Sequence, residues 1–406
     1  MTYYRQQGTV PHKRHTQFRQ PDGSLYHETL IGADGFAGSH SLLYHLRPPT
    51  AIQALSLVAS AEVVFEGVGP LRPRHFRTGG RQRLARFRAQ EEAGDRKEGD
   101  REDAVTGRVP LLTNENLTIS IAMPTEPMSY WYRYAQGDEL LFVHSGRGVL
   151  ESQLGLIDYR PGDYLVIPAG ILWRLLPEPS NEQRLLGIEM RGHLRLPSRY
   201  LSPQGQLLEA APYCERDLRP PALPAPRDEA GDFEVRVKAR GRITRYCYRH
   251  HPLDVVGWDG CLWPFALNIE DFEPITGRIH QPPPVHQTFS GPGFVVCSFV
   301  PRLFDYHPQA IPAPYNHANV DSDEVIYYAA GQFMSRRGIE AGSLTLHPSG
   351  LPHGPHPGTY EASIGQSRTE ELAVMIDTFA PLQVSADAIA LEDDTYAYSW
   401  ASLPVA

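Results

Sequence analysis

The chain has 406 residues, too many for one ordinary core, so two domains are expected. A formal net charge of −9 argues against a nucleic-acid or anionic-membrane partner, and 41% hydrophobic residues is an ordinary globular proportion. No apolar run approaches the roughly 18 residues of a membrane span, and the polar start, 1–19, has no apolar signal core, which points to the cytoplasm.

The 35 glycines and 37 prolines are spread along the chain, which suits many short strands joined by turns, an all-β protein. Segments 41–46 and 61–66 are short apolar runs between turn signals. Segment 82–103 is dense in Arg, Glu and Asp and reads as a solvated helix or surface loop. Leu117 to Ala122 alternates with period two. The Pro-rich stretch 218–228 reads as an exposed connector, strand signals continue over 233–378, and 382–391 looks helical. Cys214, Cys247, Cys261 and Cys297 form no CxxC pair and read as reduced, buried thiols.

One motif occurs twice. Asp138-Glu139 is followed by six residues and Gly146, and Asp323-Glu324 by six residues and Gly331. Gly162, Pro168, Gly170 and Trp173 have the spacing of Gly342, Pro348, Gly350 and His353. Two copies imply two similar barrels. In a small antiparallel barrel, residues alternate inward and outward and glycines turn the corners. The second copy can therefore bring His317, Glu324 and His353 to one interior point. Two imidazoles and one carboxylate, with positions left open, suit non-haem Fe(II). The first copy has Tyr132 and Trp173 at the histidine positions, so it is expected to be metal-free and structural. Asp323 competes with Glu324, and the repeated Glu-to-Gly spacing selects Glu324. Asn319 stands where cupin motifs carry a further histidine.

Other histidines are weighed against this set. Adjacent strand residues face opposite ways, so His250 and His251 make a poor chelate and read as structural. His356, flanked by Pro355 and Pro357, reads as loop support. His347 could reach substrate or orient His353 from behind. Tyr315, two residues before His317, can line the same pocket. Arg336 or Arg337 could pair with a substrate carboxylate.

The paired motifs resemble those of cupins. More specifically, Asp254-Val-Val-Gly-Trp-Asp-Gly260, Asn268-Ile-Glu-Asp-Phe272, Pro312-Ala-Pro-Tyr-Asn-His317 and Leu346-His-Pro-Ser-Gly-Leu-Pro-His-Gly-Pro355 resemble the homogentisate 1,2-dioxygenase family, in its shorter bacterial branch. The resemblance is densest over 254–358. It implies a bicupin of double-stranded β-helix (jelly-roll) barrels: an N-terminal β domain over 1–275 with a degenerate cupin (motif 132–173), and a catalytic cupin over 276–406. It further implies Fe(II), a small aromatic substrate and O2, cleavage of homogentisate to maleylacetoacetate, and a homo-oligomer, trimer or hexamer. By position it makes His280 the catalytic acid/base, with His286 the competing choice. It leaves open a dioxygenase for another hydroquinone such as gentisate, a non-catalytic ligand-binding bicupin, or a metal-dependent isomerase on the same fold.

Overall fold

A computed structural model of the chain describes residues 3–60, 62–65, 70–79, 102–179, 182–313, 315–331, 333 and 338–401. Strands dominate, as the turn-rich sequence requires. The same order of five antiparallel strands occurs twice. In the N-terminal unit it is Asp163–Ile167, Glu139–Ser145, Arg184–Met190, Leu117–Ala122, Arg108–Thr113. In the C-terminal unit it is Leu344–His347, Asp323–Ala330, Leu372–Thr378, Phe294–Phe299, Gln287–Gly291. The fold is all-β and cupin-type. The central N-terminal strands are apolar on both faces because both are covered. Inner residues fill the barrel, and outer ones meet the C-terminal unit through Phe142 against Tyr327 and Tyr164 against Phe289.

The register matches at each motif position. Glu139 pairs across the sheet with Ile167 and Glu189, and Glu324 with His347 and Asp377. Tyr132 faces Trp173 as His317 faces His353. Gly170 and Gly350 turn the same corner at φ 78° and 77°, where a Cβ would be strained. The two leading aspartates do equivalent work. Asp138 accepts from the backbone N–H of Ala169 at 2.7 Å and Leu194 at 2.8 Å. Asp323 accepts from Ser349 and Leu382, both at 2.8 Å. Each aspartate thus clamps a turn, and both oxygens of Asp323 are engaged by backbone N–H groups away from the candidate ligands.

Position 275 is crossed in both directions. Arg74–Phe76 pairs with Leu344–His347, completing the C-terminal sheet, and Gln383–Val384 returns to pair with Arg108–Thr113. One continuous core runs through both units, from Leu43 and Phe76 to Val374 and Leu391.

Several expectations need correction. The stretch 218–228 is not a free connector: Leu218 is buried, and Arg219 and Ala222 form bridges to Ala266 and Leu156. Residues 62–65 carry one isolated bridge, Phe65 to Ser385, rather than a strand. In 382–391 only Ala386–Ile389 is helical, capped by Ser385, whose hydroxyl accepts from the Ala388 N–H at 3.1 Å. None of the four thiols is in a disulfide, and only Cys297 is buried. Segment 82–103 lies outside the described residues except for its last two.

Candidate metal centre

His317 and His353 lie on adjacent extended segments that exchange two backbone hydrogen bonds of 2.8 Å, which sets their rings 4.4 Å apart. Glu324 enters from the strand Asp323–Ala330. The donor atoms of His317, Glu324 and His353 all lie within 4.8 Å of one another. His317 Nε2 is 3.5 Å from Glu324 Oε2, and His353 Nε2 is 3.3 Å from Glu324 Oε1. His353 Nδ1 donates to the Leu351 carbonyl at 3.0 Å, which leaves the Nε2 lone pair pointing inward. That buried Nε2 has no hydrogen-bond partner among the described residues. An orphaned imidazole nitrogen beside a carboxylate and a second imidazole fits a divalent cation. Burial pushes the Glu324 carboxyl up, but the close imidazoles of His317, His347 and His353 overcome this and hold it well below its ordinary range.

Of the two places the sequence left open for His347, against substrate or behind His353, the structure shows the second. It is fully buried behind Glu324, with Nδ1 2.8 Å from Glu324 Oε1 and Nε2 3.0 Å from the Tyr396 hydroxyl. Its ring stacks on His353 at 4.3 Å. It therefore orients two of the candidate ligands from the rear.

The cluster opens onto a cavity of about 280 Å³, near the lower end of small-molecule pockets, roughly 300–1,000 Å³, which suits a single ring. Its apolar wall includes Phe299, Ile326, Tyr328 and Met375. His280 and Tyr315 line it, joined by a 3.0 Å hydrogen bond between His280 Nε2 and the Tyr315 hydroxyl. Asp305 holds the other ring nitrogen of His280 at 3.2 Å. His286 also lines the cavity, but burial and then the nearby Arg302 charge pull it down to about 3, so it stays neutral and is a poor base. Arg336 lies outside the described residues.

The model of the family described as "Homogentisate 1,2-dioxygenase N-terminal" matches residues 4–269. The chain belongs to the homogentisate 1,2-dioxygenase family. It is 42% identical over 403 residues to "Putative dioxygenase SSO1533" of Saccharolobus solfataricus, covering 98% of this chain and 99% of that protein. It is 28% identical over 310 residues to a homogentisate 1,2-dioxygenase of Bradyrhizobium diazoefficiens, covering 72% and 67% of the two chains. Among solved structures, it is similar to a cupin 2 conserved barrel domain protein from Leptotrichia buccalis at 10% identity and TM-score 0.31, covering 72% and 94% of the two chains.

The match of the homogentisate 1,2-dioxygenase family model ends before the candidate ligands, whereas the 42% relative spans both units. One acidic residue at the site escaped the sequence reading. Asp377 lines the cavity, faces Glu324 across the sheet and accepts from Asn319 Nδ2 at 3.5 Å. Burial, and then the Glu324 charge, push it up to about 7; a cation in the cluster would oppose both. Its counterpart in the first copy is Glu189. An acid at matching places in two otherwise apolar strands was the available signal. Asn319 is tied into the loop, its carbonyl accepting from the Gly350 N–H at 2.6 Å.

In the N-terminal barrel the equivalent place is filled by Arg108. Its guanidinium lies 2.8 Å from Glu139 and 2.9 Å from Glu189, and over the rings of Tyr132 and Trp173 at 5.8 and 5.9 Å. These four residues are the counterparts of Glu324, Asp377, His317 and His353. A cation built into the chain occupies the centre of the first barrel.

Proposed function

We propose that the chain is an Fe(II)-dependent, ring-cleaving dioxygenase that opens homogentisate to maleylacetoacetate in tyrosine and phenylalanine catabolism, with both oxygen atoms of O2 entering the product. The observation that carries this reading is the His317–Glu324–His353 cluster on the wall of a one-ring cavity that His280 also lines. His317, Glu324 and His353 would hold the metal. Bound Fe(II) supplies Lewis acidity and the electron-transfer chemistry that O2 requires.

The remaining work belongs to the side chains. A hydroquinone hydroxyl at the cavity mouth needs a base, and His280, held by Asp305, can take that proton and share it with Tyr315. The apolar wall keeps the ring oriented and water out. Arg302 lines the cavity and donates to Glu371 at 3.2 Å; it can face a substrate carboxylate, the part first considered for Arg336. His280→Ala is expected to lower turnover by roughly 10²–10⁴-fold while bound iron stays unchanged. Loss of iron in this variant would make His280 structural instead.

The direct test is O2 uptake by protein loaded anaerobically with Fe(II), given homogentisate or gentisate, with the ring-opened product followed by its ultraviolet absorbance. Stoichiometric uptake with homogentisate supports the reading, and preference for gentisate transfers it to another hydroquinone. No uptake with iron bound would leave a ligand-binding cupin or an isomerase.

We also propose a cytoplasmic homo-oligomer. Four cysteines without a disulfide support a reducing compartment, and no helix among the described residues is long and apolar enough to cross a membrane. The edge strand Ile52–Ser60 exposes Leu55 and Leu57 at 69% and 65%, an apolar edge that self-association would cover. Light scattering should give the mass of a trimer or hexamer, falling when Leu55 and Leu57 are both replaced by Glu. A monomeric unaltered protein would refute the assembly.

A further inference from the structure

A second cavity, of about 40 Å³, lies far along the chain from the metal cluster, on the outer face of the N-terminal barrel. Its lining includes Arg133, Gln153, Tyr248, His45 and Asp254. Arg133 sits on the strand Trp131–Tyr134, whose other residues alternate so that Tyr132 enters the barrel while Arg133 points outward under a covering layer. That layer contains Val235, Leu253 and Tyr248 around Trp131. The Arg133 guanidinium has no hydrogen bond, ion pair or aromatic face among the described residues, and its Nε is buried and unpartnered.

Other interior guanidinium groups are treated differently. Arg108 has Glu139 and Glu189; Arg184 donates to Tyr327, Thr78 and Gly342; Arg174 has Glu151 and the Trp131 ring. A guanidinium cannot shed its proton at ordinary pH, so Arg133 must stay charged in an apolar setting. Burial pulls its ionisation down, opposed only weakly by Tyr248 and Tyr246. Arg133 is half-buried, and a cation withdrawn from water on most sides without a partner is costly; a counter-ion reduces that cost.

Beside Arg133 the lining also offers a neutral donor. Gln153 spends its carbonyl on the Leu172 N–H at 3.2 Å, which leaves its amide hydrogens for the cavity. The one lining carboxylate is engaged: Asp254 accepts from His45 Nδ1 and from the Arg47 N–H, each at 2.8 Å. His45 Nε2 is buried with no partner among the described residues.

We propose that this cavity is a binding site for a small monovalent anion, of halide or formate size, held by Arg133 with Gln153 and Tyr248. About 40 Å³ admits two or three water-sized groups and excludes larger carboxylates. The anion neutralises Arg133 and fastens the strands of the barrel to the layer that covers them.

The test uses the full chain and two sodium salts at equal ionic strength, bromide and the bulky gluconate. The thermal midpoint should rise by a few degrees in bromide over gluconate and keep rising with log concentration, since a ligand bound only by the folded state stabilises it by mass action. Arg133→Met should abolish the bromide-specific rise, which also removes general salt effects from the comparison. In gluconate it should unfold no lower than the unaltered protein, because it removes an unpaired buried charge; a purely structural arginine would instead leave a less stable variant. Diffraction at the bromine edge should place bromide against Arg133. Equal midpoints in both salts, a bromide-specific rise surviving in Arg133→Met, or a cavity without bromide would each overturn the proposal. The diffraction and the salt comparison on the unaltered protein decide the matter even if the variant does not fold.

Discussion

Glu324→Ala should leave protein that retains no iron after desalting and shows no oxygen uptake above background, whereas Asp323→Ala should keep its iron and lose stability. The two residues are adjacent and chemically alike, so composition cannot separate them. Geometry does. Glu324 faces three imidazoles, of His317, His347 and His353, and is the only anion in the donor cluster. Removing it takes away one of three donors and the charge that attracts a divalent cation. Asp323 instead accepts two backbone hydrogen bonds, from Ser349 and Leu382. Their loss leaves two partly buried N–H groups without their partner and should cost about 1–3 kcal/mol. Metal analysis and denaturant unfolding of both variants make the comparison. Glu324→Gln, which keeps the shape, guards against a folding artefact. Iron lost from Asp323→Ala and kept in Glu324→Ala would show that the wrong acid had been chosen.

The features legible in the sequence were those written in local spacing. The turns of both barrels need glycine in the left-handed region and an aspartate to tie them down, so Gly170 and Gly350, with Asp138 and Asp323, sit at fixed offsets that survive even where the ligands do not. What the spacing could not reveal depends on contacts distant in the chain. Period two places His347 on the strand beside Glu324, but its far nitrogen meets Tyr396, from the C-terminal segment, a contact no local spacing reveals. Arg74–Phe76 and Gln383–Val384 are too short to carry a period, yet each completes a sheet in the other half of the chain. Asp377 and Arg133 lack any turn signal. Each is marked only by being polar where its strand partners make the surroundings apolar, which becomes visible once the strands are paired.

Arg108→Met should be the most destabilising single change in the N-terminal barrel, at about 3–5 kcal/mol, because it removes one member of a buried charge cluster and strands the others. Burial works against the Arg108 charge, but Glu139 and Glu189 more than offset it and hold the guanidinium above its ordinary value. Glu189 keeps Lys238, at 2.7 Å, as a second cation. Among the described residues Glu139 has no second cation, only the Trp173 Nε1–H at 2.9 Å, and burial already pushes its carboxyl up. Without Arg108 that carboxyl should rise further and bind a proton more tightly in the folded state than in the unfolded one. Such a group lowers stability as pH rises, so the deficit of Arg108→Met should be fully present above the raised folded value of Glu139. It should narrow as pH falls towards the unfolded carboxylate range, about 4.3. Adding Glu139→Gln should recover part of the loss at neutral pH and flatten its pH dependence. Urea unfolding of the single and double variants across mildly acid to neutral pH reads all of this. A small, pH-independent deficit would mean that the guanidinium acts there as packing, and that the first barrel does not depend on a cation at its centre.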